Sequence, residues 1–137
     1  MFCFRENILR TDGGVRESAQ HAKTQMECFE LYITSQIVEN VAFYTNMRIS
    51  NWLENLPEED KELMSKSDKF SYVNKTNVIK IRAFIGLHYL RAALSQNYTR
   101  TDKLFNPEFG HIVFSGTMSR DRNFFIQWFL RFEDFNT

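Results

Sequence analysis

The stretch from Ile112 to Phe135, IVFSGTMSRDRNFFIQWFLRFEDF, limits what this chain can fold into more than any other. Ser119 suits a helix N-cap, because its hydroxyl can accept from an orphan backbone N–H in the next turn; Asp121 suits the positive end of the helix dipole. Behind it Phe124, Phe125, Trp128, Phe129, Phe132 and Phe135 fall on one broad arc at helical spacing, which Ile126 and Leu130 widen. Asn123, Gln127, Arg131 and Asp134 leave only a narrow polar stripe. A helix apolar around most of its circumference is buried on several sides. This segment is therefore expected to form the centre of a helical core, with Trp128 and its neighbouring rings out of water.

The rest of the chain supplies helices to cover it. Thr34 resembles an N-cap, and Ile37, Val38, Val41, Ala42, Thr45, Ile49, Trp52 and Leu53 keep helical spacing, opposite Gln36, Glu39, Asn40, Asn46 and Asn51. Pro57 followed by Glu58, Glu59 and Asp60 predicts a short helix to about Lys66. Ser65–Asn74 is charged and polar and reads as a loop. Thr76 or Asn77 can cap a second long helix, Val78–Ser95, apolar nearly all round, with Lys80, His88, Arg91 and Ser95 on one narrow stripe that includes Phe84. Gly86 lowers its helix propensity and suggests a close helix crossing. Gln96–Phe105 reads as a connecting loop, Glu108–Phe114 as a short helix opened by Pro107, and Ser115-Gly116-Thr117 as its breaker. Alternating strand patterns are nearly absent. The expected fold class is all-α: a helical domain with three longer helices and short connecting ones.

Residues 1–27 are poorly patterned, with a turn signal at Asp12-Gly13-Gly14, and read as a lead-in to a domain spanning 28–137. The 137 residues suit one domain with a real core. With 17 basic and 17 acidic side chains the net charge is zero, so any basic footprint must be local. Fourteen Phe demand heavy aromatic burial or a surface that expects a partner. Cys3 and Cys28 are far apart and read as free thiols; with His21 alone nearby they do not make a zinc site. No signal peptide is visible, and Val78–Leu94 is too short and too charged to span a bilayer. The expectation is a soluble intracellular protein with neither a membrane nor a small-molecule substrate as partner.

Three blocks carry a family resemblance. The first is Phe29-Glu30-Leu31-Tyr32-Ile33-Thr34 with Ile37-Val38 and Tyr44-Thr45-Asn46; the second is Ile81-Arg82-Ala83-Phe84-Ile85-Gly86-Leu87. The third, the most specific, runs from Asp102-Lys103-Leu104-Phe105 through Met118-Ser119-Arg120-Asp121-Arg122 to Phe129-Leu130-Arg131-Phe132-Glu133-Asp134. In order and spacing they resemble the N-terminal half of piggyBac-type transposases, across roughly residues 29–136. The sequence departs from that pattern at Thr99, where the family often has Trp, at Ala92 and Ala93, near a common Gly, and at Tyr44, in place of an acid. The resemblance implies the first part of a helical dimerisation and DNA-binding domain, a nuclear location, and double-stranded DNA or a second copy as partner. It also implies that the family's RNase H-like catalytic domain, whose acidic residues hold divalent metal, lies downstream. The chain itself is then expected to be no enzyme and to hold no cofactor.

The residues offer their own tests of that expectation. Asp102, Asp121 and Asp134 are acids in a suitable kind of protein, but without a sheet to present them they read as helix-end charges, not as a metal site. Arg120, Arg122 and Arg131, with Arg100 and Lys103, form a basic group that suits phosphate oxygens. The alternative is that Arg120 and Arg122 pair with Asp121, Asp102 or Glu133, or bond helix ends. Lys80 and Arg91, beside His88, can track a backbone or form a solvated face. The Phe124/Phe125/Trp128/Phe129 run reads as core: a base-stacking platform needs exposed rings on a groove, and helical spacing points these inward.

Overall fold

A computed structural model describes residues 19–133. Among them the protein is all helix: α1 (Gln25–Tyr32), α2 (Ser35–Glu54), α3 (Glu58–Lys66), α4 (Val78–Ala93), α5 (Thr101–Leu104), α6 (Ile112–Thr117) and α7 (Arg120–Phe129), with a 3-10 turn at Asp68–Phe70 and no strand. The chain divides into two units between Thr34 and Ser35.

The first unit carries α1. The Thr24 hydroxyl accepts from the Glu27 N–H at 3.2 Å, and the Glu27 carboxylate accepts from the Thr24 N–H at 2.9 Å. This reciprocal cap satisfies two donors that a helix start otherwise leaves unpaired. A helix therefore begins inside the expected lead-in of residues 1–27, whose first eighteen residues, with Cys3, lie outside the described ones. Cys28 is a free, exposed thiol.

In the second unit α2 packs against α4 and α7. Its inward face is Val38, Val41, Ala42, Thr45 and Ile49, within the face expected from spacing; of the other expected positions Trp52 and Leu53 are partly buried and Ile37 is exposed. From the polar side Asn46 adds a link that spacing did not suggest. Its side chain donates to the Thr76 carbonyl at 2.9 Å and accepts from the Thr76 N–H at 2.7 Å. That pair fixes the approach to α4, which starts where Asn77 Oδ1 accepts from the Lys80 N–H. Ile49, Phe125 and Phe129 form one buried cluster, with Trp52, Leu53, Tyr72 and Val73 against it. Leu87, Leu104, Phe105 and Phe114 form a second, joining α4, α5 and α6.

Several expectations are corrected. The third long helix is short. Leu130 turns extended (ψ 129°), and the Arg131 N–H donates to Thr45 Oγ1 at 3.1 Å instead of continuing the helix. Asp134 and Phe135 lie outside the described residues. Nor is α7 wrapped on all sides. Arg122, Asn123, Phe125, Ile126 and Phe129 are buried, whereas Phe124 is 44% and Trp128 74% exposed, and Phe132 beyond it is exposed too. At 100° per residue Arg122, Ile126 and Phe129 centre one sector and Phe124 and Trp128 the opposite one. α2 and the segment before α4 cover the buried sector, with the residues around His88 meeting it at Asn123. The rings that looked like one broad arc are two faces.

On α4 the inward residues are Ile81, Phe84 and Leu87, so the side bearing Phe84, with half-buried His88 and Arg91, turns in. Ile79 and Tyr89 face out, and Gly86 has open space around it, with no helix crossing there among the described residues. The expected 96–105 loop contains α5. The short helix after Pro107 begins later, at Ile112, and takes in Ser115-Gly116-Thr117. The reason lies at Gly110, whose N–H donates to the Asn106 carbonyl at 2.8 Å; any Cβ there would collide with the carbonyls of Leu104 and Asn106. This tight turn occupies the residues that Pro107 was expected to open into helix.

Candidate functional site

The site begins with how α4 ends. Ser95 adopts φ 55°, the left-handed region, and is the non-glycine residue with positive φ among those described. Its N–H donates to the Ala92 carbonyl at 2.9 Å and that of Gln96 to the Arg91 carbonyl at 3.0 Å, a stop that satisfies the last free carbonyls of the helix. The Arg91 side chain then ties down the next four residues. Its Nε donates to the Gln96 carbonyl at 3.2 Å, and Nη2 to the carbonyls of Asn97 and Thr99 at 3.0 and 2.5 Å. Residues 96–99 are thereby pinned to the end of α4, and Tyr98, fully exposed, projects from them.

Two further elements complete the surface. Arg100 precedes α5 and pairs through Nε with Asp102 at 3.1 Å; Arg120 opens α7 and pairs with Asp121 at 2.9 Å. The N-terminus of α7 is held by Ser119, whose hydroxyl accepts from the Arg122 N–H at 3.2 Å, as expected. Arg91, Tyr98, Thr99, Arg100, Thr101, Asp102, Arg120 and Phe124 line one broad open groove of about 630 Å³. Three arginines from three separate elements thus share it with two exposed rings. Both acid pairs are solvent-exposed, and such pairs are worth on the order of 0–1 kcal/mol. A phosphate can displace them at little cost.

The remaining candidates are elsewhere. Lys103 is exposed on α5, and Lys80 is exposed near the start of α4, about 16 Å along the helix from Arg91 at 1.5 Å per residue. Arg131 follows α7 on the side of α2, where its backbone meets Thr45. Arg122 is corrected outright: it is 8% exposed, and its guanidinium donates to the carbonyls of Tyr72, Asn74 and Lys75 at 2.7, 2.6 and 3.1 Å. It also lies over the Phe125 ring at 5.4 Å. Three of its five donors go to loop carbonyls inside the protein, and no ion pair joins it to Asp102, Asp121 or Glu133 among the described residues. Sequence reasoning also missed Tyr98 as a site residue; its place just before Thr99-Arg100-Thr101 was the available signal.

Beneath the groove His88 packs among Leu87, Arg91, Thr101, Leu104, Phe105, Phe114 and Asn123 and meets the Phe84 ring edge-on at 4.5 Å. Its Nε2 is buried without a hydrogen-bond partner. Burial, then the Arg91 charge, hold its pKa below the ordinary 6.5. A base with a depressed folded pKa gives its full contribution above the unfolded value and loses it as pH falls below that value. Thermal unfolding is therefore expected to shift to lower temperature as pH drops through and below 6.5. His88→Phe should flatten that dependence, and an unchanged acid limb in the variant would refute the assignment.

The fold and groove together define an all-helical protein that presents a small arginine-lined, ring-bearing surface. No protein-family model, curated protein or solved structure matches this chain. Among the described residues no helix is long and apolar enough to cross a membrane, and no group of three or more His, Cys, Asp or Glu is placed to hold a metal ion.

Proposed function

We propose that this chain is a nucleic-acid-binding segment of the piggyBac transposase type, acting by holding DNA and not by cutting it, in the nucleus. The observation that supports this most is the groove in which Arg91, Arg100 and Arg120 converge from three separate elements. Arginine forks match phosphate oxygens, and on a chain of zero net charge a local cluster of this kind is the electrostatic footprint such a partner needs. Arg91 acts here mainly by positioning, since its donors hold the loop; Arg100 and Arg120 are the ones to meet phosphates.

A gel shift of double-stranded DNA across roughly 50 to 200 mM salt tests it. The expected result is a salt-sensitive complex that weakens in Arg100→Ala and Arg120→Ala. Losing two phosphate contacts should reduce the slope of log K against log salt by about 2. Arg122→Ala is not an equivalent variant, because that side chain supports the fold.

A second reading is favoured by the exposed rings and aliphatics: Ile79, Tyr89, Trp128 and Phe132 are each more than half exposed. Where such side chains adjoin in one patch they mark protein contacts, and on that reading the alternative is a protein-interaction remnant of a transposon, self-associating as a homodimer or binding another chain. Absence of any shift at low salt, together with concentration-dependent association, would favour it.

A further inference from the structure

We infer that the groove between the 96–102 segment and the start of α7 takes an unpaired nucleotide, its base stacked on the Tyr98 ring and its phosphates at Arg100 and Arg120. This deepens the nucleic-acid reading above and rests on it. Three observations carry it. Tyr98 is fully exposed, yet its backbone is not loose: Arg91 and the left-handed stop at Ser95 fix residues 96–99 by five hydrogen bonds. An aromatic ring fully in water on a pinned backbone gains nothing for the fold from its position, but it is a ready platform for another flat ring. Next, Phe124 is nearly half exposed and lines the same groove, so a second apolar surface is at hand. Finally, the volume of about 630 Å³ suits a small ligand or a single nucleotide unit.

The combination of cations for the backbone and exposed rings for the bases is the chemistry by which single strands are bound without sequence preference. Polar neighbours fit that assignment. Thr99 and Thr101 border the groove and can meet sugar or phosphate oxygens, and Asp102 and Asp121 release Arg100 and Arg120 as phosphates arrive.

The test is fluorescence anisotropy of the whole chain with a labelled oligothymidylate of about a dozen nucleotides and with a blunt duplex of equal length, at low salt. Tyr98→Ala is expected to weaken the single-strand complex by about tenfold, the scale of one lost stack, and the duplex complex by less than about twofold. Phe124→Ala should act in the same direction, more weakly. Trp128→Ala, an exposed ring outside the groove, should change neither. Because Tyr98 makes no buried contact, circular dichroism of its variant should be unaltered, so lost binding is not lost folding. If duplex binding depends on Arg100 and Arg120 but single-strand affinity is the same with and without the Tyr98 ring, the inference is wrong and the broader reading stands. If neither oligonucleotide binds, both are wrong.

Discussion

Arg122→Ala is expected to destabilise the protein by about 3 kcal/mol, lowering Tm by roughly 10 °C. The side chain joins two parts of the sequence nearly fifty residues apart. Its Nη1 donates to the carbonyls of Tyr72 and Asn74 and its Nη2 to that of Lys75. Those carbonyls belong to the segment between the 3-10 turn and α4, where the Tyr72 carbonyl also accepts from the Asn74 N–H at 3.1 Å and those of Asn74 and Lys75 accept from Arg122. Truncation removes all three bonds together with the stem's contact on the Phe125 ring, beside which the Tyr72 ring lies at 6.0 Å. Hydrogen bonds to a charged donor are worth roughly 1.5–3 kcal/mol each, less the cost of taking the guanidinium from water. That cost is visible in the lowered Arg122 pKa, for which burial is the cause. Two further variants separate the contributions. Arg122→Met keeps most of the stem against Phe125 but no donors, and should lose nearly as much as Arg122→Ala. Arg122→Lys keeps a charge with a shorter, unforked donor set and should lose about half. Chemical denaturation reads all three, and a methionine variant as stable as the parent would show that the carbonyls do not need the arginine.

The same residue shows where sequence alone stops. In Arg120-Asp121-Arg122 the two arginines are two positions, and so about 200°, apart on a helix; one must face away from the other. Nothing local says which one turns inward, because the decision is made by three carbonyls in a distant loop. Asn46 is the same case: on spacing it belongs to the wet side of α2, and it is drawn in by one backbone N–H and one carbonyl at Thr76. α2 and α4 were legible because their faces repeat over many turns, and the starts of α4 and α7 because Asn77 and Ser119 cap them by side-chain chemistry that a sequence displays. The four-residue α5 has no period to detect, and the turn at Gly110 could not be weighed against the helix signal of Pro107 without knowing that backbone passes beneath it. For the groove, Arg100 and Arg120 stand out by charge and position. Tyr98 gains its meaning only once Arg91 has folded the loop back, a contact between a helix side chain and three carbonyls that composition cannot foretell.

Adjacent rings at the end of α7 give the sharpest contrast for mutation. Phe129→Ala is expected to cost about 4 kcal/mol, and Trp128→Ala under about 1 kcal/mol, although tryptophan is the larger side chain. Phe129 is 5% exposed and sits in the cluster with Ile49 and Phe125. The Trp52 ring lies 5.1 Å from it and the Phe125 ring 4.7 Å, while the Arg48 guanidinium covers it at 5.5 Å. Removing it opens a cavity between α2 and α7 that neither helix can close, since Thr45 also holds the Arg131 backbone just beyond. Trp128 has 74% of its surface in water. Its structural contribution is its carbonyl, which accepts from Arg48 Nη1 at 2.9 Å and survives any substitution of the indole. Urea unfolding of the two variants side by side measures the difference. Near-equal losses would mean that the indole is covered in solution and that the two-faced description of α7 is wrong; a loss confined to Phe129 means that the inward sector of α7, one ring wide at this level, carries the junction with α2.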